Sequence, residues 1–200
     1  MFMNMHIFFA IVLSYLLGSV PVGYIICRVT KSIDVRTQGS GNVGATNVTR
    51  LAGKIPGITT LILDILKGLA AVTLIPMLLG PATDILRVSC AIGVVAGHNW
   101  TIFLRFKGGK GVATSAGVFL GLMPLVFLSC LCVWATAFIA WRYVSLASVL
   151  TAISLPVFTT LYQKSLLYIL LGCIIALLGL MRHKDNIKRL FKGKEGKIRI

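Results

Sequence analysis

Apolar residues run through this chain in long uncharged blocks separated by short polar ones, and the block lengths set the first expectation. Residues 2–27 contain no Lys, Arg, Asp or Glu, more than the ~20 residues a helix needs to cross the hydrocarbon core of a bilayer. With no basic stretch ahead of it, a block this long reads as a span rather than a cleaved signal peptide. Residues 55–79 form a second block that carries Asp64 and Lys67, and residues 85–104 a third, with Arg87 near its start and His98 near its end. Residues 111–141 are uncharged but interrupted by Pro124, too long for one untilted span and short for two full ones. Residues 143–162 and 165–181 supply two more, separated by a tight turn at Gln163 and Lys164. The polar stretches lie at 28–54, at 105–110, around Arg142 and in the tail 182–200.

Charge decides what length leaves open. If residues 111–141 fold as a hairpin turning near Pro124, 17 of the 20 Lys and Arg fall on one side of the membrane; Arg87 and Lys164 lie opposite and Lys67 within a span. Lys and Arg concentrate in short cytoplasmic loops. The expectation is therefore an all-α polytopic integral membrane protein with seven transmembrane helices, one or both of spans four and five being short. Its N-terminus is outside and its C-terminus cytoplasmic. Five spans is the alternative, since a single span over 111–141 would put Arg142 and the basic tail outside. One membrane-embedded domain, 1–200, is expected, without a soluble domain or internal repeat.

Composition excludes a soluble domain: 57% of residues are hydrophobic, 12% are charged and the mean hydropathy is +0.92, against about a quarter charged in soluble domains. The net charge of +15 fits nucleic acid, an anionic membrane surface or a phosphorylated substrate, and its placement in loops beside spans removes nucleic acid. Five acids leave little for a metal site or a carboxylate pair. Cys27, Cys90, Cys130, Cys132 and Cys173 fall in or at the ends of apolar stretches with no Cys-x-x-Cys, so buried thiols are expected, with neither disulfide nor zinc. No metal and no cofactor is expected.

The candidate chemistry lies in two glycine-rich polar loops. The first reads Gly39-Ser40-Gly41-Asn42-Val43-Gly44-Ala45-Thr46-Asn47, with Arg50 beyond. Gly39, Gly41 and Gly44 form a G-x-G-x-x-G, but the dinucleotide fingerprint requires a preceding strand in a βαβ unit, and the flanks here are transmembrane. The underlying physics still applies: glycines let backbone N–H groups approach an anion, and a following helix N-terminus adds a favourable dipole. Ser40, Asn42, Thr46 and Asn47 add side-chain donors, and Arg50 adds a fork that fits phosphate. The alternative is a flexible interfacial loop whose glycines only form turns. The second loop is Arg105-Phe106-Lys107-Gly108-Gly109-Lys110-Gly111, followed by Val112-Ala113-Thr114. It is not a Walker A, because position 104 is Leu rather than Gly. Glycines around Lys110 opening into an apolar helix describe an anion cradle, or equally a basic turn that binds anionic headgroups. Together the two loops favour phosphate binding.

Other polar residues gather at the same predicted face. Gly97-His98-Asn99 ends span three, and Arg182-His183-Lys184-Asp185-Asn186 follows span seven. His183 and Asn186 are three apart and share a face if the last helix continues. A His at a membrane boundary is also an interfacial anchor, the reading that suits His6. Asp64 and Lys67, three apart, read as a mutual pair tying span two to a neighbour. Ser145 and Ser148 on the first turn of span six read first as helix caps. The sequons at Asn47 and Asn99 are on the predicted cytoplasmic side and are discounted. The absence of H-e-x-x-H, G-x-S-x-G and D-x-x-D patterns argues against metal hydrolysis, a serine hydrolase and a Mg²⁺-dependent lipid phosphotransferase. Two rivals stay open on the residues alone: a small transporter for a phosphorylated metabolite, and an acyltransferase using acyl-CoA or an acyl carrier protein.

Assembled in order, residues 39–50, Gly97-His98, Phe106 to Thr114, Ser145 to Ser148, and His183 to Leu190 with Glu195 resemble the bacterial acyl-phosphate-dependent glycerol-3-phosphate acyltransferases, the PlsY family. The likeness covers nearly the whole chain; one departure is Thr101, where the family commonly has Pro. The resemblance implies a multi-pass enzyme of the bacterial cytoplasmic (inner) membrane, with its active site facing the cytoplasm. It would transfer an acyl group from fatty acyl phosphate to the 1-hydroxyl of sn-glycerol 3-phosphate, giving lysophosphatidic acid and phosphate, the first acylation of phospholipid biosynthesis. Carried over by motif, the catalytic residues would be Ser40, Lys110, His183 and Asn186. Phosphate binding would fall to Gly39, Gly41, Asn42, Gly44, Arg50, Gly108, Gly109, Lys110, Gly111, Thr114 and Ser148, supported by His98, Asn99, Ser145 and Glu195. The enzyme that makes acyl phosphate is a further implied partner. A mixed anhydride has a good leaving group, so direct attack by the acceptor needs no covalent enzyme intermediate; His183, as base or orienting group, and a substrate phosphate oxygen are the alternatives for the proton.

Overall fold

The structure, a computed structural model, describes residues 2–163 and 165–197, so Lys164 and Arg199 of the predicted charge pattern lie outside the described residues. The chain is helical, with no strand among the described residues, and its contacts gather into two compact units, Met1–Leu122 and Met123–Ile200.

The first unit begins with α1 (Phe2–Ser19) and α2 (Val22–Lys31). A single span over 2–27 was expected; the helix instead breaks at Val20 and Pro21 and resumes as far as Lys31. Proline has no N–H to donate and disfavours helical geometry in the residue before it. Together the two pieces form a 29-residue apolar segment, Met3–Lys31. The stretch 28–54 is likewise not a continuous loop, because α3 (Ala45–Ala52) forms within it. Its buried Val48 and Ala52 pack with Cys27, Val35, Val43 and Leu104 in a small apolar core beneath the first glycine loop. After α3 come α4 (Lys54–Leu79), α5 (Asp84–Asn99), a 3₁₀ turn (Ile102–Leu104) and α6 (Val112–Leu122).

Glycines set the close helix contacts. A Cβ added at Gly97 of α5 would stand 2.1 Å from the Tyr15 carbonyl of α1, and one at Gly117 of α6 would stand 1.9 Å from the Ile65 carbonyl of α4. Such small residues let backbones approach where apolar surface alone gives helices little reason to associate.

The second unit contains α7 (Pro124–Trp141), α8 (Val144–Tyr162), α9 (Leu166–Arg182) and α10 (Lys184–Phe191). The expected hairpin in 111–141 is a break at Met123, with Pro124 at the first turn of α7, where a missing N–H costs nothing. α6 has 11 residues, about 16 Å at 1.5 Å per residue, half the hydrocarbon thickness. Among the described residues, five segments are long and apolar enough to cross a membrane, and a sixth when α9 and α10, bent by 57°, are taken together. The tail is therefore ordered as a helix for its first part. Cys27, Cys90 and Cys130 are buried as expected, whereas Cys132 and Cys173 are exposed on the apolar helices α7 and α9.

Asp64 and Lys67 pair at 2.8 Å, both buried. The Lys67 ammonium also donates to the Val20 carbonyl at 3.1 Å, an acceptor next to the α1–α2 break. His98 of α5 brings Nδ1 to 3.6 Å from the same Asp64 oxygen. The pair thus ties α4 to two neighbours. Removing one member strands a buried charge, so Asp64→Ala is expected to destabilise by about 3–5 kcal/mol, and an Asp64→Leu/Lys67→Met double variant by much less. Thermal unfolding in detergent measures this; equal losses in both variants would show that packing rather than charge is at stake.

Candidate functional site

The first glycine loop is folded around Asn47, which lies on α3 and is 1% exposed. Its Nδ2 donates to the carbonyls of Val35, Gln38 and Asn42 at 3.0 to 3.1 Å, and its Oδ1 accepts from the Ser40 N–H at 2.9 Å. Asn47 was expected to donate to a ligand; it is instead the hub of the loop, its carboxamide fully engaged by backbone. Gly39 and Gly41 have φ of +60° and +69°, and a Cβ on Gly39 would sit 2.3 Å from Asn47 Oδ1. The Asn42 side chain accepts from the Gly44 N–H at 2.8 Å and so shapes the entry to α3 rather than presenting its oxygen outward. Gly44 is the residue before the first turn of α3. What the loop does expose is Ser40 and, one face of α3 later, Arg50.

At the start of this loop Arg36 grips Asp34 through Nη2 to Oδ2 at 2.6 Å and Nε to Oδ1 at 3.0 Å. These hydrogen bonds hold the Asp34 carboxyl at about 2 although its partial burial opposes them, and they push the Arg36 guanidinium up.

The second loop lies flat on the end of α5. The Gly108 and Gly109 N–H groups donate to the carbonyls of Asn99 and His98 at 3.3 and 2.9 Å. These two amides were expected to cradle an anion and are turned instead toward the protein. The glycines are required by proximity: a Cβ on Gly109 would meet His98 Nε2 at 2.1 Å and one on Gly108 the His98 carbonyl at 2.1 Å, while Gly111 has φ +80°. His98 is accordingly a brace between Asp64 and the loop. Lys110 is half-buried at the loop's centre. Behind it the Asn99 carboxamide and the Thr114 hydroxyl are buried without a hydrogen-bond partner, although an unsatisfied buried polar group costs about 1–3 kcal/mol. A small cavity of about 10 Å³ is lined by Val43 of the first loop and by Asp64, Lys67, His98 and Thr101, so the first loop, the buried ion pair and the end of α5 meet at one interior point. Thr101 keeps this corner closed: its hydroxyl donates to the Ser19 carbonyl and accepts from the Phe103 N–H, neither of which a proline does. Asn47 and Asn99 are both buried, so neither sequon is accessible.

In the second unit the α9–α10 bend falls at His183, which is buried. Its Nδ1 lies 2.8 Å from the Gly179 carbonyl; a carbonyl only accepts, so Nδ1 carries the proton and the neutral ring has its basic lone pair on Nε2. Asn186, one turn on, is also buried and donates to Glu195 Oε1 at 2.7 Å, while Arg189 Nε donates to Oε2 at 2.7 Å. The backbone folds back at Gly193, φ +64°, to bring Glu195 there. Arg189 was missed from sequence, since nothing local indicates a pairing six residues away across a turn. Ser148, also buried, does not cap α8: it donates to the Val144 carbonyl at 2.8 Å and accepts from Trp134 Nε1 at 3.3 Å. A Trp in the middle of an apolar span was the available signal. Ser145 is buried one turn earlier.

Burial would raise the Glu195 carboxyl, but the hydrogen bonds from Arg189 and Asn186, with a looser contact to Ser145, hold it below the ordinary glutamate range. A depressed carboxylate stabilises the fold fully above its unfolded pKa and loses that contribution as pH falls through the folded one. Protection of the α10 amides, taken relative to intrinsic exchange at each pH, is therefore expected to hold from pH 7 to 5 and to fall below the ordinary glutamate value of about 4.3. Loss of protection already between pH 7 and 5 would contradict this assignment.

Comparison with known proteins bears on both units. A family model described as glycerol-3-phosphate acyltransferase matches residues 8–193. The chain is 46% identical over 185 residues to the glycerol-3-phosphate acyltransferase of Desulforamulus reducens, covering 92% of each. It is 44% identical over 200 residues to that of Prochlorococcus marinus, covering 98% of each. Among solved structures it is similar to the crystal structure of PlsY, an integral membrane glycerol 3-phosphate acyltransferase, in its glycerol 3-phosphate form, with a TM-score of 0.89, 38% identity and 96% of each chain covered. The lysophosphatidic acid form matches with a TM-score of 0.87 at the same identity, over 96% of this chain and 95% of that one.

Proposed function

Because the chain belongs to the glycerol-3-phosphate acyltransferase family, an integral membrane family of acyltransferases, we propose that it transfers a fatty acyl group from acyl phosphate to the 1-hydroxyl of sn-glycerol 3-phosphate. The products are lysophosphatidic acid and phosphate. The observation that carries this reading is the Lys110 loop, which is seated rigidly on α5 beside the buried, unpartnered polar groups of Asn99 and Thr114. A fixed cation at the edge of an apolar helix bundle suits a substrate with a phosphate head and an acyl tail. The glycerol 3-phosphate and lysophosphatidic acid forms of the similar structure support the acceptor and the product.

In this mechanism the glycerol 1-hydroxyl oxygen attacks the acyl carbon, an ester C–O bond forms, the mixed-anhydride C–O bond breaks and phosphate departs. Lys110 stabilises the negative charge that develops on the leaving phosphate. Carried over by motif, Arg50 and Ser40 would hold the acceptor phosphate, and His183 Nε2 would take the acceptor proton. Asn186, whose carboxamide is fixed by Glu195, is the other polar group of the second unit that the family resemblance assigns to catalysis. The span count of seven takes α6 as a short crossing. With the N-terminus outside, 17 of the 20 basic residues face the cytoplasm, which supports an active site on that side of the inner membrane.

Direct transfer is tested by incubating the purified protein with acyl phosphate and radiolabelled inorganic phosphate, with and without glycerol 3-phosphate. Lysophosphatidic acid is expected only with acceptor, and no label is expected to enter acyl phosphate in its absence. Label exchange without acceptor would reveal a covalent acyl-enzyme and overturn the direct attack.

A further inference from the structure

A cleft of about 470 Å³ in the first unit is lined by Tyr24, Arg36, Phe103, Leu104, Arg105 and Lys107, none of which takes part in the proposed chemistry. It opens where the apolar segment Asp84–Leu104 ends, so apolar and cationic groups meet at one level. On the cationic side Arg105 and Lys107 are exposed and have no acidic partner among the described residues, whereas Arg36 is paired with Asp34. The Arg36 and Arg28 guanidinium carbons lie 5.0 and 5.9 Å from the Tyr24 ring centroid. On the apolar side Ile102, Phe103 and Phe106 are 48%, 60% and 58% exposed. Arg105 and Phe106 have φ of 54° and 62°, a left-handed backbone that residues with a Cβ avoid. Hydrogen bonds from their N–H groups to the Ile102 and Thr101 carbonyls hold them there. The loop thus fixes a cation and an aromatic ring side by side instead of leaving both mobile.

We propose that this cleft seats the phosphate headgroup of an anionic membrane phospholipid, with Arg105 and Lys107 on the phosphate and the acyl chains along Phe103 and Phe106. Charge complementarity selects an anion, since the four cations Arg28, Arg36, Arg105 and Lys107 face a single acid, Asp34. The exposed rings select an amphiphile over a soluble ion, because a free phosphate would leave them unused. This site is independent of the identity of the acyl donor.

The test is native mass spectrometry of the full chain, released from a mixture of phosphatidylglycerol and phosphatidylcholine. The wild type is expected to retain phosphatidylglycerol about tenfold over phosphatidylcholine. Arg105→Gln/Lys107→Gln should bring the two close to parity, and Lys192→Gln/Lys194→Gln, on the exposed tail, should leave the preference intact. Parity in the wild type, or an equal loss in the tail variant, would overturn the site. Displacement of the lipid by soluble glycerol 3-phosphate would also overturn it, by showing a soluble phosphate site in its place.

Discussion

Replacing Lys110 with alanine is expected to lower kcat/KM for acyl transfer by about 10²- to 10³-fold, the usual consequence of removing one fixed donor from developing charge. The loss should appear in kcat as well as in KM, because the leaving phosphate gains charge as the anhydride bond breaks. The fold should survive: the loop is held by backbone bonds from Gly108 and Gly109 to α5, which do not involve the Lys110 side chain. Arginine should restore little, since the ammonium occupies a half-buried place between two buried glycines and a planar guanidinium is larger. Steady-state kinetics with both substrates varied decides the matter. A variant that lost only affinity for glycerol 3-phosphate would move Lys110 to the acceptor.

The second large effect is expected at His183. Its Nδ1–H is held by the Gly179 carbonyl at 2.8 Å, so in the proposed mechanism Nε2 is the nitrogen that takes the proton. Alanine there should lower kcat by about 10²-fold or more, while the bend between α9 and α10 persists through the Ile187 to His183 backbone hydrogen bond. Near-normal turnover at saturating acceptor would end the general-base role and pass the proton to a phosphate oxygen of the substrate.

Much of this arrangement was legible before the structure, and what was not has identifiable causes. Uncharged runs and the placement of Lys and Arg located the apolar helices, because both respond to the bilayer as a solvent and need no knowledge of contacts. Hydropathy did not see α3, since a helix of eight residues with three buried positions has too little apolar surface to register in a polar stretch. The Pro21 break was written in the sequence, but its consequence was not: the Lys67 ammonium reaches the Val20 carbonyl from 47 positions away. The glycine loops were found as motifs and their backbone directions were misread. Whether a glycine amide faces a ligand or the protein depends on partners such as His98 and Asn99, which follow only from tertiary contact. Asn47 shows the same limit, because an asparagine that donates outward and one that organises a loop look alike in sequence. The pairing of Glu195 with Asn186 and Arg189 needed the turn at Gly193, whose positive φ is a property of the fold.

The identity of the acyl donor is the central claim, and one assay addresses it. Purified protein in detergent or lipid is given labelled glycerol 3-phosphate and, in separate reactions, acyl phosphate, acyl-CoA and acylated carrier protein, with Lys110→Ala as control. Labelled lysophosphatidic acid from acyl phosphate alone, lost in the control, is the predicted result. Product from either thioester without acyl phosphate would contradict it.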